Sequence, residues 1–273
     1  MIKLLDKANQ LIKKMEECIA NPIKPNESAR IKVGVDLGTA NIVITVLKDD
    51  DTPVIARIYP ADVVRDGIVV DYIAAVEILR KLKQEIESLI NVRLDTAATA
   101  IPPGIIPGNV RVIKNVVEGA GFAVSNVVDE PVAASRVLGI KDGAVVDIGG
   151  GTTGISVLRD GVAVYSADEP TGGRHMTLVI AGGLGVTYEE AEKIKLDKSK
   201  HDIVFPMARP VVEKMSSIIL KHIQGFDVET IYLVGGTSCL DGIENIVESY
   251  TGKRVVKPYN PLLVTPIGIA IGA

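Results

Sequence analysis

Two stretches of this chain are built on one plan. "VGVDLGTANIVITVL" (Val33 to Leu47) and "VVDIGGGTTGISVL" (Val145 to Leu158) each run apolar strand, Asp, apolar residue, Gly, small hydroxyl residue, strand. Each leads into a third alternating stretch, the period of a β-strand. A single Asp-Gly turn is ordinary strand-end chemistry. Two matched copies imply an internal duplication: two similar α/β lobes whose Asp-Gly-Thr hairpins meet in a cleft.

The second copy also fits G-x-G-x-x-G through Gly149, Gly151 and Gly154. A dinucleotide turn opens a helix at its last glycine, so that the helix N-terminus meets the pyrophosphate. Here Gly154 leads into "ISVLRDGVAVYS", which alternates and turns at Asp160-Gly161. That is strand, turn, strand, and it excludes the dinucleotide reading.

The hairpins suit phosphate in another way. Glycine lets the backbone approach an oxygen-rich ligand and aim successive N–H groups at it. Neither loop carries a lysine, and the G-x-x-x-x-G-K-[ST] phosphate loop is absent from the chain. The amides of Gly38, Thr39, Ala40 and of Gly150, Gly151, Thr152 would therefore hold the phosphates. Asp36 and Asp147 direct two negative charges at the same cleft, and a polyphosphate there calls for a hard cation between them. Mg²⁺ binds through carboxylates, phosphates and retained waters together.

Composition narrows the class. The chain has 273 residues, 47% hydrophobic and 23% charged, with net charge -4. The acidic balance argues against a nucleic-acid surface, and no 18-residue apolar run marks a membrane span. The first 20 residues lack the apolar core of a signal peptide. Cys18 and Cys239 stand alone, as reduced thiols of a cytoplasmic protein do.

Along the chain, residues 1–20 place Leu4, Leu5, Ala8, Leu11, Ile12, Met15, Cys18 and Ile19 on one helical face. "NPIKPNES" follows as a linker, so residues 1–30 form an N-terminal helix and tether. A first lobe is predicted over 31–142, with strands near 31–36, 42–48, 53–59, 96–101 and 124–129. Its helices fall near 72–90, 109–120 and from Pro131. A second lobe is predicted over 143–260, with strands near 143–148, 154–159, 162–167, 229–234 and 253–257. Its helices fall near 174–183, 187–196, 207–224 and 240–251. A last helix, within 261–273, returns to the first lobe.

Five motifs in order, spread over Ile31 to Ala273, resemble the actin-like ATPases, a superfamily that includes DnaK-type chaperones, MreB and PilM. "VGVDLGTAN" and "VVDIGGGTT" resemble its two phosphate motifs, "VVDEPVAAS" its connecting helix and "LVGGTSCLDGI" its adenosine motif. "EEAEKIKLDKS" resembles the helix that clasps ribose and adenine. The resemblance implies a two-lobed fold of duplicated ribonuclease-H-like lobes with reduced peripheral subdomains, binding ATP and Mg²⁺ in the cleft with weak ATPase activity. It implies that Asp36 and Asp147 hold Mg²⁺ through water and that Glu130 positions the attacking water. Thr39, Thr152 and Thr153 would bond the phosphates, with Asn41 and Gly149 in the same turns. Gly172 and Gly173 would pass the terminal phosphate, Gly235, Gly236 and Thr237 would lie against the nucleoside, and Glu192 and Lys195 would hold the ribose. On the residues alone, Glu192 and Lys195 are equally a solvated pair of helix charges.

"DVVRDGIVVD", "VVDIGGGTTGI" and "YSADEPTGG" are similar to a chaperone-like family encoded with a protein-shelled bacterial microcompartment for ethanolamine breakdown. That resemblance implies microcompartment enzymes or shell proteins as clients, with self-association open. A filament or scaffold protein of MreB or PilM type and a non-hydrolysing ATP sensor remain alternatives. The chain departs from the superfamily at Gly172-Gly173-Arg174-His175, where an acidic residue is usual after the glycines. The N-terminal stripe resembles helices that dock cargo inside such shells, or it packs on its own body or a second copy.

Overall fold

The computed structural model describes residues 5–26, 29–65 and 67–273. The first four residues of the predicted N-terminal helix, two of the tether and Asp66 lie outside them. In the first lobe, β1 (Ile31–Leu37), β2 (Asn41–Lys48) and β3 (Pro53–Pro60) form an antiparallel meander. The short strands β4 (Val64–Arg65) and β5 (Ile68–Val69) pair as a hairpin. β6 (Thr96–Ile101) and β7 (Ala123–Asp129) then extend the sheet in parallel, giving the order β3-β2-β1-β6-β7.

The second lobe repeats this plan. β8 (Gly143–Ile148), β9 (Thr153–Arg159) and β10 (Val162–Glu169) are antiparallel, and β11 (Thr230–Val234) and β12 (Arg254–Val256) are parallel additions. The order is β10-β9-β8-β11-β12, strand for strand the order of the first sheet. The turn between β9 and β10 falls at Asp160-Gly161, both at positive φ, the geometry whose twist matches that of paired strands.

Nine α-helices complete the described chain: α1 (Asp6–Ala20), α2 (Tyr72–Ile90), α3 (Pro107–Gly119), α4 (Glu130–Leu138), α5 (Gly173–Leu184), α6 (Tyr188–Leu196), α7 (His201–Ile223), α8 (Ile243–Thr251) and α9 (Val264–Ile271). Their ends follow local chemistry. The Ala74 amide donates to the Asp71 carboxylate at 3.0 Å ahead of α2, and α2 stops at left-handed Asn91. α7 begins six residues before the predicted start, because the sequence reading stopped at Pro206. Pro206 and Pro210 both lie inside α7, four residues apart on its exposed side. Each removes an N–H, and water can satisfy the carbonyls left behind. Val204, Ala208, Val212, Met215, Ile219 and Ile223 bury the other side of α7.

One core lies between the first sheet and α2 and α3, and another between the second sheet and α7 and α8. A third joins the lobes. There Leu5, Ile12 and Met15 of the N-terminal segment meet Leu47 and Ala56 of the first sheet, Val145 and Leu158 of the second, and Ile267 and Ala270 of α9. Ile12 and Met15 are fully buried, each stabilising the fold by roughly 1.5–3 kcal/mol. The N-terminal stripe thus packs on its own body, not as a free docking helix. α9 lies along β1 and β2, where the Thr45 hydroxyl donates to the Pro266 carbonyl at 2.7 Å across 221 residues of chain. Gly268 lets α9 touch α4: a β-carbon there would collide with the Ala133 carbonyl.

Candidate functional site

The two hairpins meet where the lobes face each other. A β-carbon placed on Gly150 would stand 2.9 Å from the Ala40 β-carbon. Around them opens a cleft of about 1100 Å³. Its walls bring together Asp36, Gly38, Thr39, Ala40, Asn41, Glu130, Asp147, Gly149, Gly150, Gly151, Thr152, Glu192, Lys195, Gly235, Gly236 and Thr237. The Gly149 amide closes its own turn on the Thr152 carbonyl at 2.9 Å. Among the described residues, none accepts from the amides of Thr39, Ala40, Gly150 or Gly151. These N–H groups are available to a ligand.

Three acids dominate the electrostatics. Asp36 and Asp147 each lie one residue before the end of their strands, β1 and β8, and Glu130 opens α4. Burial pushes the Asp36 carboxyl up to about 7, and the Asp147 charge adds to it. Burial likewise lifts Asp147 to about 6, while the Thr265 hydroxyl, donating to Asp147 Oδ2 at 2.5 Å, pulls it back. Glu130 is raised well above the carboxylate range by burial, then by the charges of Asp147, Asp36, Asp168 and Asp129. Such a cluster either holds protons or attracts a cation. Among the described residues, no group of three or more His, Cys, Asp or Glu side chains is arranged to hold a metal ion. An ion here needs waters or ligand oxygens to complete its shell.

Gly235 makes room for this cluster. It sits at φ 87°, its N–H donates to the Pro261 carbonyl at 3.1 Å, and a β-carbon would collide with Asp147 Oδ1.

Several predicted contacts take other work. Thr153 is fully buried and does not line the cleft, and its hydroxyl donates to the Thr171 carbonyl at 2.5 Å. Gly172 and Gly173 are also absent from the wall. The Gly173 and Arg174 amides donate to the Gly149 and Gly150 carbonyls at 3.0 and 2.8 Å, and the Gly172 amide to His175 Nδ1 at 3.3 Å. The start of α5 therefore braces the second hairpin from behind. The Thr237 hydroxyl joins it, donating to the Gly149 carbonyl at 2.7 Å. Glu192 and Lys195 are a partly buried pair at 2.7 Å, both bonded to the Thr177 hydroxyl. They line the cleft while tying α6 to α5, which replaces the solvated-charge reading.

Thr265, Asp62, Tyr188 and Arg174 also line the cleft. Thr265 had a signal, a hydroxyl in an otherwise apolar helix, and Arg174 stood at the departure from the usual acidic motif. Asp62 and Tyr188 carried none.

Two lobes of one topology, joined through α4 and α9 and closing on paired Asp-Gly hairpins over an acidic cluster, define an actin-like ATPase fold. The family model described as MreB/Mbl protein matches residues 54–197, and that of the cell division protein FtsA matches 144–268. Ethanolamine utilization protein EutJ of Salmonella typhimurium is 41% identical over 239 residues, covering 87% of this chain and 84% of that protein. The crystal structure of EutJ from Carboxydothermus hydrogenoformans superposes with a TM-score of 0.93 at 46% identity, covering 98% of this chain and all of that one. MreB5 of Spiroplasma citri bound to ADP shares the fold with a TM-score of 0.70 at 17% identity, over 89% of this chain and 95% of its own. The chain belongs to the EutJ family of actin-like ATPases.

Proposed function

We propose that the protein binds ATP with Mg²⁺ between its lobes and acts as a chaperone-like or reactivating factor for enzymes or shell proteins of an ethanolamine-utilisation microcompartment in the cytoplasm. One observation carries the nucleotide reading: unspent amides of both hairpins stand beside three carboxylates, Asp147 buried and Asp36 and Glu130 partly buried, that pair with no cation among the described residues. A polyphosphate with a divalent cation supplies both the acceptors and the positive charge that this arrangement lacks. MreB5 of Spiroplasma citri, which shares the fold, has been solved with ADP and with AMPPNP bound, and this supports a nucleotide as the ligand. No described helix is long and apolar enough to cross a membrane.

On this reading Asp36 and Asp147 hold the hydrated ion, whose chemistry is to neutralise phosphate charge. Thr39, Thr152 and the hairpin amides bind phosphate oxygens, and Gly235 and Gly236 face the nucleoside. Glu130, with its raised proton affinity, accepts a proton from an attacking water. The deciding experiment pairs Mg-ATP binding with phosphate release. Mg-ATP should raise the melting temperature of the wild type by mass action. Glu130→Gln should keep that shift and slow phosphate release on the order of a hundredfold, the typical loss of a proton acceptor. Absence of any shift at millimolar Mg-ATP would overturn the cleft assignment. Binding without release in the wild type would make the protein a nucleotide sensor, and ATP-dependent sedimentation would make it a filament former. Clients would appear as microcompartment proteins co-purifying in an ATP-dependent way.

A further inference from the structure

Arg174 and Asp62 face each other across the cleft, with Arg174 Nη1 at 3.1 Å from Asp62 Oδ1. They come from different lobes, and each is anchored to a different hairpin. The Arg174 amide donates to the Gly150 carbonyl of the second hairpin at 2.8 Å. Next to Asp62, the Ala61 amide donates to the Ala40 carbonyl of the first hairpin at 3.1 Å. The ion pair therefore bridges the two phosphate turns. Asp62 is shared, since Arg65 reaches its other oxygen at 3.1 Å. The Arg174 guanidinium also lies 5.9 Å from the centre of the Tyr188 ring, a contact that steadies it from the second lobe.

A triphosphate lying on the hairpins would call for a cation at this place. Neither hairpin contains a lysine. Lys195, another cation of the wall, is committed to Glu192 and Thr177. Arg174 is the cation rooted on a hairpin, and its present partner is weak: the side chains of the pair are 33% and 59% exposed. Exposed pairs contribute little, whereas a guanidinium bonds two phosphate oxygens at once and strongly. A triphosphate lying on the hairpins would outcompete Asp62, which keeps Arg65.

We infer that Arg174 is the residue that recognises the terminal phosphate of the bound nucleotide, and that Asp62 holds it across the cleft mouth until that phosphate arrives. The inference rests on the nucleotide reading above and adds to it how ATP is told from ADP. Exchange of partners breaks the Asp62 bridge between the lobes, so occupancy of the terminal phosphate position changes how the lobes are tied.

The test is calorimetric titration of Mg-ATP and Mg-ADP into wild type, Arg174→Ala, Arg174→Lys, Asp62→Asn and the Arg174→Ala/Asp62→Asn double variant, with thermal melts checking that each folds. Arg174→Ala should weaken ATP binding about tenfold and ADP binding no more than about twofold, as loss of one charged bidentate contact implies. Arg174→Lys should recover part of the ATP affinity. Asp62→Asn should tighten ATP binding about threefold by removing the competitor, and this gain should vanish in the double variant. Equal losses for ATP and ADP in Arg174→Ala, or weaker ATP binding in Asp62→Asn, would overturn the inference while leaving nucleotide binding intact. A wild type that binds neither nucleotide would overturn the underlying reading instead.

Discussion

Thr265, on a helix that covers the first sheet, donates its hydroxyl to Asp147, on the central strand of the second sheet, at 2.5 Å. The acidic cluster is thus wired to the element that joins the lobes. Both residues are buried, at 3% and 8% exposure, so the bond has no ready substitute in water.

Thr265→Val keeps the side-chain shape and removes the donor. The variant should be less stable by about 1.5–3 kcal/mol, the usual contribution of a hydrogen bond to a charged group. The loss should be largest above pH 6, where Asp147 is ionised. Urea unfolding at pH 8 and pH 5 checks this, and equal losses at both would mean Asp147 is not charged in the native cleft.

The acids set a pH dependence of definite sign. Asp36 has a native value near 7, raised from 3.8, so the native state binds a proton that the unfolded chain has already released. Its burial as an anion costs stability above pH 7, and the cost fades as pH falls from 7 towards 4. Asp36→Asn should therefore raise the melting temperature at pH 8, with a gain on the order of 2 kcal/mol, and do almost nothing at pH 4. Differential scanning calorimetry of variant and wild type across this window isolates the contribution. A destabilised variant at pH 8 would sink the argument.

How much of this was legible beforehand depended on what each feature requires. The duplication was readable because an Asp-Gly turn between two apolar strands is a local pattern, and both sheets follow from it strand by strand. The hairpin residues were readable for the same reason, whereas Glu130, which also lines the cleft, was reached only through the family resemblance of its motif. The roles of Thr153, Gly172 and Gly173 were not, since they depend on which carbonyl a neighbouring element presents. Pro206 hid the start of α7 because a proline is tolerated only when its side of the helix is exposed, which a sequence does not state. The meeting of Asp62 with Arg174 depends on how two lobes face each other, and no spacing encodes that.

Two glycine-to-alanine exchanges should move in opposite directions. Gly268→Ala puts a methyl against the Ala133 carbonyl, and overpacking of this kind costs about 1–3 kcal/mol or more. Gly182 lies exposed within α5 with nothing near its missing β-carbon. Gly182→Ala should stabilise by about 0.5–1 kcal/mol through helix propensity. Chemical unfolding of both variants side by side separates contact from propensity.

The N-terminal helix makes a further stability claim. Ile12→Ala or Met15→Ala should each cost about 2–5 kcal/mol, the range for emptying a closed core site. Deleting residues 1–20 should lower the melting temperature by many degrees. A truncated protein that melts like the wild type would show that α1 contributes nothing to the fold and exists for a partner.

The long reach of α9 bears on how the chain is made. The strand carrying Thr45 leaves the ribosome early, but the helix residue that meets it, Pro266, lies 221 residues further along. At bacterial-like synthesis rates of roughly 5–20 residues per second, the exposed apolar face waits about 10 to 45 s for its cover. The first lobe thus cannot finish folding as an independent unit, and a nascent chain of this protein presents a bare sheet to whatever holds unfolded proteins in the cell.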